Sequence, residues 1–230
     1  MSLREEERVS RPGEDQNGVS RMKSPRVLVT AGATWIRVDE VRVLTNVFTG
    51  RTGIGIARYL REQGARVKLL LNPSRVSPRE YEGIPADRYF YYEELACLLE
   101  KELSGGEYDA LIHTAAVSDY RIDEPLAGKM PSGRQELRLR LVPAAKLIRG
   151  LKGRFSGVKV IQCKLEMRAD SLCERAYESL QVNGSDYVIA NALDQLKQDY
   201  RAYLIDRRKN IVTVNSREEL ACCLYRCIVE

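Results

Sequence analysis

Two side chains that can act on a phosphate stand close together in this chain. Asp119 lies in the run Ala115-Ala116-Val117-Ser118-Asp119-Tyr120, and Lys129 follows it. A carboxylate there can meet a metal–phosphate, and an ammonium can meet negative charge as it develops. The two alanines let a ligand approach the backbone closely. A second stretch, Gly50-Arg51-Thr52-Gly53-Ile54-Gly55, precedes a helical pattern. Glycines at a helix entry let backbone N–H groups face a phosphate. The same glycines equally suit close packing of a helix on a sheet. The spacing is GxxGxG, not the GxGxxG dinucleotide fingerprint, and no Gly-Lys-Ser/Thr follows as a Walker A loop requires.

These residues need a scaffold, and the composition can build one. The chain has 230 residues, 44% of them hydrophobic, enough for a real core. No apolar run approaches the roughly 20 residues needed to span a bilayer. No secretory signal segment opens the chain, so a cytoplasmic protein without membrane contact is expected. The net charge of +5 is spread among acids rather than clustered. That argues against a nucleic-acid partner and suits an anionic small molecule. The six cysteines form no CxxC pair and read as buried free thiols. His113 is the only histidine, which excludes multi-histidine metal sites, and it reads as a core or supporting residue.

Residues 1 to 24, charged and poor in apolar side chains, are expected to be a disordered leader, followed by a single domain over 25–230. Strands are expected at Arg26–Thr30, Ala65–Leu71, Asp87–Tyr91, Tyr108–Thr114, Val158–Gln162 and Asp186–Asn191. Helices are expected near Gly53–Gln63, Glu93–Leu103, Ala169–Gln181 and Ser216–Ile228, the last capped by Ser216 with Glu219. Tyr203–Asp206 and Ile211–Val214 read as a closing hairpin. This order predicts an α/β fold with a doubly wound, mostly parallel sheet and helices on both faces. The apolar run Ala110-Leu111-Ile112 is then a buried strand, and its carboxyl end is where such sheets bind ligands. The connection from Thr34 to Thr49 is long for this fold and reads as a functional loop. Between Gln135 and Val142, leucines alternate with charged residues, which reads as a half-exposed strand within a β-flap excursion over about 121–142.

Taken together, the motifs resemble the phosphopantothenoylcysteine synthetase family, the ligase of coenzyme A biosynthesis. Val27 to Thr34 is similar to the family's opening strand and turn, which contains Gly32. Asp39-Glu40-Val41-Arg42 with Thr45-Asn46 is similar to its Asp-x-Val-Arg-x-x-(Ser/Thr)-Asn signature. Thr49-Gly50-Arg51-Thr52-Gly53, Ala115 to Tyr120, Lys129, and a late strand ending in Ala190-Asn191 follow in family order. The resemblance runs from about Arg26 to the C-terminus and implies a Rossmann-like synthetase half without the flavin-binding decarboxylase.

The resemblance also implies a mechanism. The carboxylate of 4′-phosphopantothenate attacks a nucleoside triphosphate, with CTP favoured over ATP, giving an acyl-nucleotidylate and pyrophosphate. L-Cysteine then displaces the nucleotide to form the amide. In that mechanism Lys129 supports activation, Asn46 supports turnover of the acyl intermediate, and Arg42 orients an anionic group, either in its own subunit or across a dimer interface. Gly32, Gly50, Gly53, Ala115, Ala116, Asp119 and Asn191 contact the nucleotide, and Asp119 holds Mg²⁺. A homodimer is expected, with the flap as a contact.

The chain departs from the family in places. Lys129-Met130-Pro131-Ser132 replaces Lys-Ile-Lys-Lys, and Gln162-Cys163-Lys164-Leu165-Glu166 replaces Gly-Phe-x-x-Glu. Two other readings therefore stay open. One is a relative that binds a nucleotide or phosphorylated acid without ligation. The other is an NAD(P)-dependent short-chain oxidoreductase, disfavoured because no Tyr-x-x-x-Lys pair occurs.

Overall fold

A computed structural model describes residues 24–133, 136–197 and 200–230. The expected leader therefore lies outside the described residues, apart from Ser24. In chain order the elements are β1 (Arg26–Ala31), β2 (Trp35–Arg37), β3 (Val43–Thr45), α1 (Arg51–Glu62), β4 (Arg66–Leu71) and β5 (Ala86–Arg88). There follow α2 (Tyr92–Ser104), β6 (Ala110–His113), β7 (Tyr120–Ile122), β8 (Leu141–Pro143), α3 (Leu151–Arg154) and β9 (Lys159–Glu166). The chain closes with α4 (Leu172–Asn183), β10 (Tyr187–Ala192), α5 (Leu193–Lys197), β11 (Ala202–Asp206), β12 (Ile211–Val214) and α6 (Arg217–Val229).

Eight strands form one sheet in the order β12-β11-β10-β9-β6-β1-β4-β5. The strands from β10 to β5 pair in parallel, and β11 and β12 add an antiparallel edge. Strand alternation splits the core between two faces. Val27, Val29 and Ala31 of β1 pack with Ile56 and Leu60 of α1 and Leu220 and Leu224 of α6. Leu28 points the other way, toward Leu95 and Leu99 of α2. On that second face, α4 places Leu172, Ala176 and Leu180 over Val188 and Ala190 of β10. The expected doubly wound α/β fold is therefore present. β1 sends the chain first to β4 on one side and later to β6 on the other, so the C-terminal ends of β1 and β6 flank the switch point. Among the described residues no helix is long and apolar enough to cross a membrane.

Four expectations are corrected. The loop from Thr34 to Thr49 contains the hairpin β2–β3, paired from Trp35↔Thr45 to Arg37↔Val43. The flap strand is much shorter than its leucine alternation suggests. Leu141–Pro143 pairs with Tyr120–Ile122, while Glu136 to Arg140 forms no strand and Gln135 lies outside the described residues. A period-two pattern marks a surface with one apolar side, but a strand also needs a hydrogen-bonding neighbour. The strand expected to end at Gln162 continues to Glu166, paired along β10. Finally, the thiols are not all buried: Cys97 and Cys163 are exposed, and the other four are half-buried. The last helix does have its cap. Ser216 accepts from the Glu219 N–H at 3.0 Å, while the Glu219 carboxylate reaches the N–H of Asn215 rather than that of Ser216.

Candidate functional site

The site is built where β1 and β6 leave the sheet. Their exits stay joined beyond the last strand pair. Ala116 N–H donates to Gly32 O at 2.9 Å, and Thr34 N–H donates to Ala116 O at 3.3 Å. Thr114 Oγ1 donates to Thr30 O at 2.6 Å, and Ser118 N–H donates to Thr34 Oγ1 at 3.0 Å. The start of α1 lies against this junction, because glycines remove the side chains that would hold it off. Gly50 has φ +89°, and a Cβ on it would sit 2.5 Å from Gly32 N. A Cβ on Gly53 would meet Ala31 Cβ at 2.9 Å and collide with the Thr114 hydroxyl. The close-packing reading of the glycines is thus realised.

Hairpin β2–β3 brings in Asn46, whose Nδ2 donates to Ala116 O at 3.2 Å. Asn46, Ala115, Ala116, Gly32, Gly50 and Gly53 are therefore gathered at one junction. The tip of the same hairpin holds Arg42 and reaches the segment carrying Lys129. Asp39 is the link. Its carboxylate is buried, with the residue 1% exposed, and accepts from the N–H groups of Val41 (2.9 Å), Arg42 (2.8 Å) and Met130 (3.0 Å) and from the Arg42 guanidinium. Burial opposes its ionisation. The donors from Met130, Val41 and Arg42 outweigh that and lower the carboxyl to about 2. What these bonds add to stability is therefore present above the usual carboxylate range and is lost only as pH falls through about 2. Lys129 itself is exposed and has no hydrogen bond or ion pair among the described residues.

Three expected site residues stand differently from the sequence reading. Arg42 directs one guanidinium nitrogen at Asp39 and, at 3.5 Å, at Met130 O, so it serves the scaffold before any ligand. Asp119 is ion-paired with Lys146 on the surface. Among the described residues no three His, Cys, Asp or Glu side chains cluster to hold a metal ion. A lone carboxylate already held by a lysine does not fit a resident metal centre. Asn191 lies on β10, two strands from β6, roughly 10 Å across the sheet and away from the glycine junction.

The segment from His113 to Tyr120 separates two pockets. One of about 610 Å³ has aromatic walls, Trp35, Tyr91, Tyr92 and Tyr120, with Arg37 4.4 Å over the Tyr91 ring. The other, about 580 Å³, is polar and lies over the ends of β6 and β9. Lys146, Arg149, Lys164 and Arg175 are at its rim, and His113 and Gln162 line its floor. It exists because the crossover from β6 to β9 supplies only the four-residue α3, leaving the sheet thinly covered there. Gln162 is held by Ser179, Asn183 and Ser185.

His113 is buried, with its Nδ1 2.9 Å from Thr30 Oγ1. That hydroxyl also accepts from Ala115 N–H at 3.1 Å. Burial lowers the pKa of His113 to about 4. In the unfolded chain the ring takes a proton below its ordinary value near 6.5, whereas in the native protein it takes one only near 4. Stability is therefore full above about pH 6.5 and falls between there and pH 4. Urea unfolding is expected to lose about 2 kcal/mol from pH 7 to pH 5, and His113→Gln should flatten that slope. An unchanged slope in the variant would show that other groups carry it.

Asp39, Thr30, Thr34 and the polar pocket were missed from sequence. Asp39 left a signal as the first residue of the Asp-x-Val-Arg motif, and Thr30 and Thr34 left one within the opening strand and turn, but none of the three carried a role there.

Comparison with known proteins places this geometry. The sequence matches the family described as DNA/pantothenate metabolism flavoprotein C-terminal domain over residues 22–230. It is 36% identical over 174 residues to the coenzyme A biosynthesis bifunctional protein CoaBC of Thermococcus kodakarensis, covering 75% of this chain and 42% of that protein. The protein of the same description from Methanocaldococcus jannaschii is 27% identical over 207 residues, covering 85% of this chain and 48% of its own. The chain thus spans about half the length of the curated relatives it matches. Among solved structures, the DNA/pantothenate metabolism flavoprotein from Streptococcus pneumoniae superposes with a TM-score of 0.80 at 27% identity, covering 89% of this chain and 98% of that one.

Proposed function

The chain belongs to the DNA/pantothenate metabolism flavoprotein C-terminal domain family, and on that premise we propose that it is a phosphopantothenate–cysteine ligase acting in coenzyme A biosynthesis. The observation that carries the reading is the family match over residues 22–230, within which one hairpin bonds Ala116 through Asn46 and the Lys129 segment through Asp39. The curated relatives' description as coenzyme A biosynthesis proteins supports it.

In this reading residues 25–230 act as one synthetase domain. The triphosphate lies at the N-terminus of α1, where N–H groups and the helix dipole favour negative charge. The nucleoside part extends into the polar pocket, with CTP favoured and ATP as the alternative. Mg²⁺ enters as part of the nucleotide substrate. The carboxylate of 4′-phosphopantothenate attacks the α-phosphorus, and the bond to the bridging oxygen breaks as pyrophosphate leaves. Lys129 offsets charge on the transferring group. The amine of L-cysteine then attacks the acyl carbon and expels the nucleoside monophosphate, with Asn46 holding the acyl group in place. We place the protein in the cytoplasm, without nucleic-acid partners. We also place it as a homodimer, since Val41 of the β2–β3 connection, Val47 just after β3, and Leu126 and Leu141 of the flap expose apolar surface together with Tyr120. Light scattering showing a monomer at micromolar concentration would count against that dimer.

The deciding experiment measures pyrophosphate release with 4′-phosphopantothenate, L-cysteine, Mg²⁺ and each nucleoside triphosphate in turn. Release that depends on phosphopantothenate and is greatest with CTP is expected. Folded protein that releases none with any nucleotide would sink the ligase reading and leave a relative that only binds.

A further inference from the structure

We propose that Asp39 is a positioning residue that fixes the backbone just after Lys129, while its neighbour Glu40 holds it just before, and so helps set where the lysine ammonium stands relative to Asn46. The inference rests on the ligase reading for its catalytic meaning, though not for its geometry.

The bonds on either side of Lys129 are specific. Glu40 N–H donates to Gly128 O at 3.3 Å, just before the lysine. Met130 N–H donates to Asp39 Oδ2 at 3.0 Å, just after it. Arg42 adds a contact to Met130 O, and Leu126 N–H donates to Val38 O at 3.1 Å. The backbone is thus held at Leu126, Gly128 and Met130 by residues 38–42, while the Lys129 side chain is exposed. The other end of the same hairpin holds Asn46 on Ala116 O. One rigid hairpin therefore sets the spacing of two groups that must act on the same intermediate.

An ordinary turn explains only half of what Asp39 does. To close the hairpin tip, one carboxylate oxygen suffices: Oδ1 accepts both the Val41 and Arg42 N–H groups. Oδ2 is surplus to the turn, and it takes the Met130 N–H and the Arg42 guanidinium. This division makes the two roles separable. Asp39→Asn keeps an Oδ1 acceptor for the turn and replaces Oδ2 with an NH₂ group that cannot accept from Met130.

The test compares wild type, Asp39→Asn, Lys129→Ala and the double variant in the full chain, in two assays. The first is kcat and KM for pyrophosphate release. Asp39→Asn is expected to lower kcat by about 10- to 100-fold with a smaller change in nucleotide KM, as misplacing a catalytic group by about an ångström does. In the Lys129→Ala background it should cost less than about twofold more, because a positioning residue has nothing left to position. The second assay needs no activity. Trypsin cleavage between Lys129 and Met130, followed by mass spectrometry, should quicken by about tenfold or more in Asp39→Asn relative to cleavage at the other Lys and Arg sites of the same variant, which corrects for the stability lost with the buried carboxylate. The proposal is overturned if Asp39→Asn costs the same factor with and without Lys129, or if the cleavage rate is unchanged. Should wild type release no pyrophosphate, the ligase reading fails by itself and the cleavage rates alone decide the clamp.

Discussion

Lys129→Ala is expected to lower pyrophosphate release by about 10²- to 10³-fold while leaving the unfolding free energy within about 0.5 kcal/mol of wild type. The two halves of this expectation come from one fact. The Lys129 side chain is exposed and makes no hydrogen bond or ion pair among the described residues, so the fold does not use it. Its backbone, by contrast, is fixed on both sides. A residue that is immobilised but unpartnered is pre-organised for something absent from the chain itself. In the proposed first step, negative charge develops on the transferring phosphoryl group, and the Lys129 ammonium meets it. The two lysines usual further along this segment in the family are replaced by Pro131 and Ser132, which leaves Arg134 as the next cation along the sequence. Steady-state release and a urea melt on the same preparation check both halves. Full activity in the variant would remove Lys129 from the reaction, and a large loss of stability would make it structural.

The largest effect on stability is expected from Gly50→Ala, about 2–5 kcal/mol. An L-residue held at φ +89° costs about 1–2 kcal/mol. The new methyl would lie 2.5 Å from Gly32 N and 2.9 Å from Gly32 Cα, which are backbone atoms that cannot rotate away. Such overpacking costs about 1–3 kcal/mol more. Gly32 is itself confined, since a Cβ there would meet Asn72 at 2.9 Å, so strain at Gly50 would pass into the turn that binds Ala116. Gly55→Ala is the matched control. It lies within α1 with nothing within 4 Å of its added Cβ, so alanine should stabilise it by about 0.5–1 kcal/mol. If the two variants melt together, close approach is not why Gly50 is glycine.

The sheet was legible because its strands are short apolar runs punctuated by turn residues, and a buried parallel strand has to look like that. Val27-Leu28-Val29 and Ala110-Leu111-Ile112 leave little choice. Asn46, Ala116 and Lys129 were legible only as members of an ordered set of motifs, since each alone reads as a surface or packing residue. Asp39 was quoted within a motif yet given no role. An aspartate in a polar stretch is solvated by default, and its burial is created by Met130, 91 positions away. The polar pocket was invisible for a related reason: it comes from a helix that is too short, and no local pattern announces missing cover. The alternating leucines of the flap gave a true surface pattern without the neighbour that would make it a strand.

The Asp39–Met130 bond has a kinetic consequence. Its partners are separated by the whole β4–α2–β6 stretch, so the loop they close is long and cannot close until β1 and β6 are aligned. The crevice is therefore among the last parts of the molecule to assemble. It is held by a few hydrogen bonds near solvent rather than by the two core faces, so opening it costs less than melting the sheet. On gentle warming, the protein should lose competence for catalysis while its secondary structure is still intact, and it should regain that competence on cooling without refolding.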